Sequence, residues 1–218
     1  MVWSCLVSIL PGMAQTEKLT DYVNPFVGTD GYGNVYPGAQ IPFGGIQISP
    51  DTDSRFYDAA SGYKYNHLTL MGFSLTHLSG TGIPDLGDFL FIPGTGEMKL
   101  EPGTHEDPDQ GYCSRYSHDK EWASPNYYAV ELADYGVKAE MTSGVRSGMF
   151  RFTYPESDNA FIMIDMNHTL WQSCEWSNLR TINDSTITGY KLVKGWGPER
   201  HVYFTATFSK KLTGLRFV

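Results

Sequence analysis

The sequence is short of charge, of cysteine and of basic clusters, and each shortage removes a class of function. Charged residues make up 18% of the 218, and the balance is −8. No run of Lys or Arg offsets that acidity, so a nucleic acid or other polyanion has no electrostatic footprint to bind. The cysteines are Cys5, Cys113 and Cys174. Neither a CxxC pair nor a Cys/His cluster is present, which disfavours a structural zinc site. An oxidising compartment allows Cys113 and Cys174 to pair, but two cysteines at long separation carry no connectivity information. No apolar run approaches the length needed to cross a bilayer, so a membrane is not a partner. An amphipathic helical stripe of useful length is missing too, as is any internal repeat.

What is present reads as strands. Hydrophobic residues reach 41%, enough to bury a sizeable core, and aromatics reach 14% with tyrosine the commonest, a composition that suits pleated sheets. Tyr128, Val130 and Leu132 alternate with Tyr127, Ala129 and Glu131. Val137, Ala139 and Met141 alternate with Lys138, Glu140 and Thr142. Val202, Phe204, Ala206 and Phe208 alternate with His201, Tyr203, Thr205 and Thr207. Period two puts one set in a core and the other toward solvent. The runs Phe161-Ile162-Met163-Ile164 and Phe89-Leu90-Phe91-Ile92 are apolar on both faces and read as strands buried from both sides. Asp134-Tyr135-Gly136 reads as a hairpin turn, and Pro155-Glu156-Ser157-Asp158-Asn159 separates two further strands. The expected fold is an all-β antiparallel sandwich.

The start of the chain stands apart. Leu6-Val7-Ser8-Ile9-Leu10 is followed by Pro11-Gly12-Met13-Ala14, with small residues at the −3 and −1 positions of an export cleavage site. No Lys or Arg precedes Lys18, so residues 1–14 read as a signal peptide incomplete at its beginning, and residues 15–218 as the mature domain. The expected location is exported, periplasmic or secreted.

Two stretches do not alternate. Residues 28–38 carry glycines at 28, 31, 33 and 38, and residues 79–87 are built largely from Ser, Gly, Thr, Pro and Asp. A rigid β scaffold places binding groups on loops of this kind, although long turns have the same composition. The first glycine set does not make a dinucleotide cradle, because Pro37 prevents residues 34–38 from opening a helix. His77, Ser79, Asp85 and Asp88 form the densest polar group. No strained Gly-x-Ser-x-Gly elbow surrounds Ser74 or Ser79. Asp85 and Asp88 supply the two carboxylates a glycosidase needs, but three residues apart on a loop such groups more often cap backbone N–H groups. Asp51 and Asp53 do not begin an EF-hand, since Phe56 and Gly62 stand where glycine and glutamate are required. Flat aromatics stack on the C–H faces of sugars, and Tyr32, Tyr36, Phe56, Tyr57, Tyr63, Tyr65 and Trp196 are candidates, at least half of them expected to be core residues.

Several separate blocks resemble glycoside hydrolase family 92. They are Tyr22-Val23-Asn24-Pro25-Phe26-Val27-Gly28-Thr29, Tyr36-Pro37-Gly38-Ala39, Pro42-Phe43-Gly44, Ser61-Gly62-Tyr63-Lys64-Tyr65, and Gly72-Phe73-Ser74-Leu75-Thr76-His77-Leu78-Ser79-Gly80-Thr81-Gly82 with Asp85-Leu86-Gly87-Asp88. Further along, Tyr116-Ser117-His118, Ala123-Ser124-Pro125 and Tyr203-Phe204 keep the same order. The resemblance implies a supersandwich of the galactose-mutarotase-like kind, packed in the full-length enzymes on an (α/α)6 helical domain. It implies a calcium-dependent, inverting exo-α-mannosidase of mannose-containing N-glycans, with the catalytic carboxylates and the calcium held chiefly by the helical domain. No catalytic residue or bound calcium is therefore expected of this chain alone. Its contribution would be rim loops carrying Tyr36, Phe56, Tyr57, His77, Ser79, Asp85 and Asp88. Where the family often has a Trp before the Ser-Gly-Tyr block, this sequence has Arg55-Phe56-Tyr57-Asp58, so Phe56 or Tyr57 takes that place.

The expectation is an N-terminal domain cut off before the half that performs catalysis, missing its last strands and marginally stable. Two other readings stay open. One is a free-standing carbohydrate-binding module; the other is a non-functional remnant that exposes an orphaned apolar face.

Overall fold

A computed structural model describes residues 17–54 and 59–217. Its strands, in chain order, are β1 (Ser49–Asp51), β2 (Thr69–Leu70), β3 (Gly72–Ser74), β4 (Leu90–Thr95), β5 (Ser114–Arg115), β6 (Glu121–Ser124) and β7 (Tyr127–Leu132). They continue as β8 (Val137–Ser143), β9 (Gly148–Thr153), β10 (Ala160–Asp165), β11 (Ser173–Asn183), β12 (Thr186–Lys194) and β13 (Arg200–Thr207). Every paired strand is antiparallel. Among the described residues the helical structure is limited to short 3-10 turns, and no helix is long and apolar enough to cross a membrane. The fold is all-β, as the alternation requires.

Several sequence neighbours pair directly across short turns. The strands β6-β7-β8-β9 make a four-stranded meander, and β11-β12-β13 make a separate three-stranded sheet. A third sheet has the order β1-β3-β4-β10, and β2 pairs with β5. Asp134-Tyr135-Gly136 lies in the turn between β7 and β8, where Leu132 opposes Val137, and Gly136 takes the positive φ of 62° that closes it.

The main core lies where the meander meets the β1-β3-β4-β10 sheet. Tyr128, Val130 and Leu132 of β7 and Ala139 and Met141 of β8 are buried there with Phe73, Ile48 and Leu70. Fully burying a side chain of this size contributes about 1.5–3 kcal/mol. The ring of Phe91 lies 5.2 Å from Phe150 of β9 and 5.9 Å from Phe204 of β13. One residue of β4 thus packs against both the meander and the three-stranded sheet. Its neighbours Leu90 and Ile92 point the opposite way, as strand pleating dictates, into a second cluster with Met71, Tyr112 and Cys113.

One strand differs from its sequence reading. The run 161–164 lies on β10, which occupies the edge of its sheet beyond β4 and is only half-buried. Its apolar residues are only partly covered, and a partner strand lies on one flank alone. The run 89–92 is buried on both faces, as read. No disulfide joins Cys113 and Cys174.

Candidate functional site

Three loops meet at one end of the β1-β3-β4-β10 sheet, and backbone hydrogen bonds tie them together. The Gly80 N–H donates to the Asn34 carbonyl at 2.7 Å, and the Tyr65 N–H donates to the Thr29 carbonyl at 3.0 Å. The Ser61 hydroxyl also donates to the Asn34 carbonyl, and Lys64 Nζ donates to Gly31 at 2.5 Å. Residues 28–38, 59–65 and 76–88 therefore hold one another in place.

Beneath them sits Asp51, at the end of β1 and without solvent exposure. Its Oδ1 accepts from His77 Nε2 at 2.7 Å and its Oδ2 accepts from His168 Nε2 at 2.7 Å. The other ring nitrogen of His77 faces the Gln47 carbonyl at 2.7 Å, an arrangement suited to a ring that donates from both nitrogens. Ser74 Oγ is 3.0 Å from His77 Nε2. Ser74 and His77 are in contact, but Asp51 engages the same ring nitrogen, so no nucleophilic relay is laid out. Burial opposes ionisation of Asp51, yet the charge of His77 and the hydrogen bonds from both histidines outweigh it and hold this carboxyl well below the usual range. Gly62 makes the close approach possible. It has φ +83°, and a Cβ there would overlap Asp51 Oδ1.

The loop 76–88 is closed at its base by reciprocal bonds. Leu75 N–H donates to the Asp88 carbonyl at 2.9 Å and Gly87 N–H to the Thr76 carbonyl at 2.8 Å. The Thr76 hydroxyl donates to Asp88 Oδ2 at 2.7 Å and accepts from the Asp88 N–H at 3.1 Å. Asp88 then fastens the loop to the three-stranded sheet. Lys191 Nζ of β12 lies 3.1 Å from its Oδ1 and Arg200 of β13 lies 2.5 Å from its Oδ2. Burial works against the Asp88 carboxylate, but the Lys191 and Arg200 charges prevail and its pKa falls below the ordinary value. Lys191 is wholly buried; desolvation pulls its ammonium below the ordinary lysine value despite the attraction of Asp88.

Asp85 is also committed. Its Oδ1 accepts from its neighbour Leu86 N–H at 2.6 Å and its Oδ2 from the Trp196 N–H at 3.1 Å. Both carboxylates therefore bond backbone or basic groups in this structure. Among the described residues, no group of three or more His, Cys, Asp or Glu side chains is arranged to hold a metal ion.

The sequence-derived residues are thus distributed over distinct positions. His77, Asp85 and Asp88 are buried under the loops, and Tyr36 is buried with its ring 5.1 Å from His77. Ser79 is exposed at the loop tip, as is Tyr32, at 99%. Phe56 and Tyr57 lie outside the described residues. Tyr63 is a core residue whose hydroxyl donates to Glu121, while Tyr65 stacks on His118 at 3.9 Å.

Sequence reasoning missed the residues that lock these loops: His168, Lys191, Arg200 and Glu121. Lys191 had a readable sign, since it falls in the inward register of β12 with Ile187 and Val193, and an inward lysine calls for a buried anion. Glu121 is buried and accepts from Tyr128 at 2.5 Å and from His118 Nδ1 at 2.6 Å. Nothing in its local pattern marks it.

The family model of the glycosyl hydrolase family 92 N-terminal domain matches residues 22–218. A solved family GH92 alpha-mannosidase from Bacteroides thetaiotaomicron is similar with 99% identity and a TM-score of 0.92, covering 94% of this chain and 28% of that one. The same enzyme has been solved in complex with mannoimidazole. A family GH92 inverting mannosidase from Bacteroides thetaiotaomicron VPI-5482 is 26% identical with a TM-score of 0.67, over 87% of this chain and 25% of that one. An uncharacterized secreted glycosidase of Arthroderma benhamiae is 30% identical over 145 residues, or 63% of this chain and 17% of that protein. The chain thus spans little more than a quarter of the length of the solved relatives at most.

Proposed function

The chain belongs to glycosyl hydrolase family 92, as its N-terminal domain, and from that premise we propose that it forms one wall of the substrate pocket in an exported exo-α-mannosidase acting on N-glycan-type mannosides. The observation that carries the reading is the cross-bonded loop assembly 28–38, 59–65 and 76–88. A rigid sandwich holds these loops by buried ion pairs while Ser79 and Tyr32 stay exposed. Loops so braced position groups for a ligand at little entropic cost.

Catalysis belongs elsewhere in this reading. Inversion needs two carboxyl groups roughly 6.5–9.5 Å apart around a water, one poised as acid and one as base. Asp51 and Asp88 are instead buried and held ionised by cations. Calcium is likewise assigned to the remainder of the enzyme, because these loop carboxylates already have histidine, lysine and arginine partners. Export is supported by the apolar start of the sequence and by the secreted Arthroderma relative.

The test is hydrolysis of an aryl α-mannoside by the purified 218-residue chain beside the near-identical full-length enzyme. No release by the chain alone is expected. Release at the rate of the full-length enzyme would overturn the proposal.

A further inference from the structure

Among the described residues Phe43 is the most exposed large apolar side chain, with its ring wholly open to solvent. It takes the third place of the turn Ile41-Pro42-Phe43-Gly44, which the Gly44 N–H closes by donating to the Ile41 carbonyl at 3.0 Å. Its φ is +58°. A turn with proline second and a positive φ third calls for glycine at that third place, and a left-handed backbone disfavours an aromatic residue. A ring that stands outside the core and opposes its backbone preference does not serve the stability of this chain.

The turn is nonetheless held firmly. Gln47 Nε2 donates to the Gly44 carbonyl at 2.8 Å, and the Gly45 N–H donates to the Val145 carbonyl at 2.8 Å. Val145 belongs to the turn between β8 and β9, which the Gly144 N–H closes onto the Ser147 carbonyl at 2.7 Å. It is 60% exposed. Two stapled turns therefore stand side by side, one displaying Phe43 and the other Val145. Their base is joined to the loop 76–88, because the Gln47 N–H donates to the Leu75 carbonyl at 3.0 Å and the Gln47 carbonyl faces His77 Nδ1 at 2.7 Å. Apolar anchors displayed on a rigid backbone lose little entropy on association, and rings of this kind dominate protein contacts.

The near-identical solved enzyme says how much protein is available to meet them: 94% of this chain accounts for only 28% of that one. In the pocket-wall reading the catalytic groups come from that remainder, which must then approach the end of the sheet where the loops meet. We infer that the turns 41–44 and 144–147 dock this domain onto the remainder of the enzyme, with Phe43 and Val145 inserted into an apolar seat there. The inference rests on the pocket-wall reading for the direction from which the remainder arrives.

Phe43→Gly removes the ring and suits the backbone of the turn, so its effect should depend on which protein carries it. In the purified 218-residue chain the melting temperature should hold or rise. In the near-identical full-length enzyme it should fall by at least about 3 °C. Val145→Ser should act in the same direction in the enzyme and leave the chain unchanged. A fall of equal size in chain and enzyme would assign the ring to the fold of this domain and overturn the docking, as would an enzyme unmoved by Phe43→Gly. Self-association of the chain in sedimentation equilibrium, abolished by Phe43→Gly, would seat the ring on a second copy and overturn it too. The pocket reading is tested apart, by kcat/KM of the enzyme with a shortened 79–82 tip. A loss of about tenfold there beside an unmoved melting temperature in Phe43→Gly would sink the docking alone. Unchanged kcat/KM beside the predicted fall would sink the pocket reading alone.

Discussion

The ammonium of Lys191 lies 3.1 Å from Oδ1 of Asp88, and neither side chain is exposed to solvent. The pair joins β12 to the base of the loop 76–88 across more than a hundred residues of sequence. Buried charges are costly to desolvate, so such a pair adds little net stability but leaves a large penalty when one partner is lost. Lys191→Met should therefore destabilise the protein by about 3–5 kcal/mol, as should Asp88→Ala. Urea unfolding followed by tryptophan fluorescence measures it. The double variant should lose clearly less than the sum of the singles, because the two losses share one interaction.

Asp51 gives a pH prediction of defined sign. Its carboxyl is held below the ordinary range in the folded protein by His77 and His168. A carboxyl whose folded pKa lies below its unfolded value of about 3.9 stabilises fully above that value and loses the contribution as the pH falls toward the folded one. Asp51→Asn should therefore be less stable than the parent at pH 5, with the gap closing as the pH drops below about 4. Denaturant unfolding at pH 5, 4 and 3 reads the gap. A gap that widened on acidification would refute the assignment.

Gly62 is the tightest packing point around that carboxylate. Gly62→Ala combines a left-handed φ of +83° with a Cβ that overlaps Asp51 Oδ1. The backbone conformation alone disfavours an L-residue by about 1–2 kcal/mol. The expected loss of stability exceeds that figure, because the Asp51–His77 contact must also shift. Gly82, where a Cβ would meet nothing and the backbone is not left-handed, is the control, and Gly82→Ala should be within about 0.5 kcal/mol of the parent.

The sheets were legible in the sequence because alternation is a local property. Tyr128, Val130 and Leu132 are buried together, and Asp134-Tyr135-Gly136 turns between β7 and β8 as its residues require. Sheet order was not legible. The run 161–164 looked doubly buried but forms an edge strand, since periodicity reports what the faces of a strand meet and not how many strands flank it. The candidate site divided in the same way. Asp85, Asp88 and His77 stood out as a polar group on a loop. The partners Lys191 and Arg200 come from distant sequence, as does His168, which shares Asp51 with His77, and only the inward register of Lys191 hinted that a buried anion waited for it.

The most direct test of the account exchanges the loop tip in the near-identical full-length enzyme. Replacing Ser79-Gly80-Thr81-Gly82 by a two-residue link leaves the Thr76–Asp88 closure and its ion pairs intact, so the domain should stay folded. If these loops form a wall of the mannoside pocket, kcat/KM for an α-mannoside falls by at least about tenfold, a loss of about 1.4 kcal/mol of transition-state stabilisation. An unchanged kcat/KM in the folded variant would contradict the account.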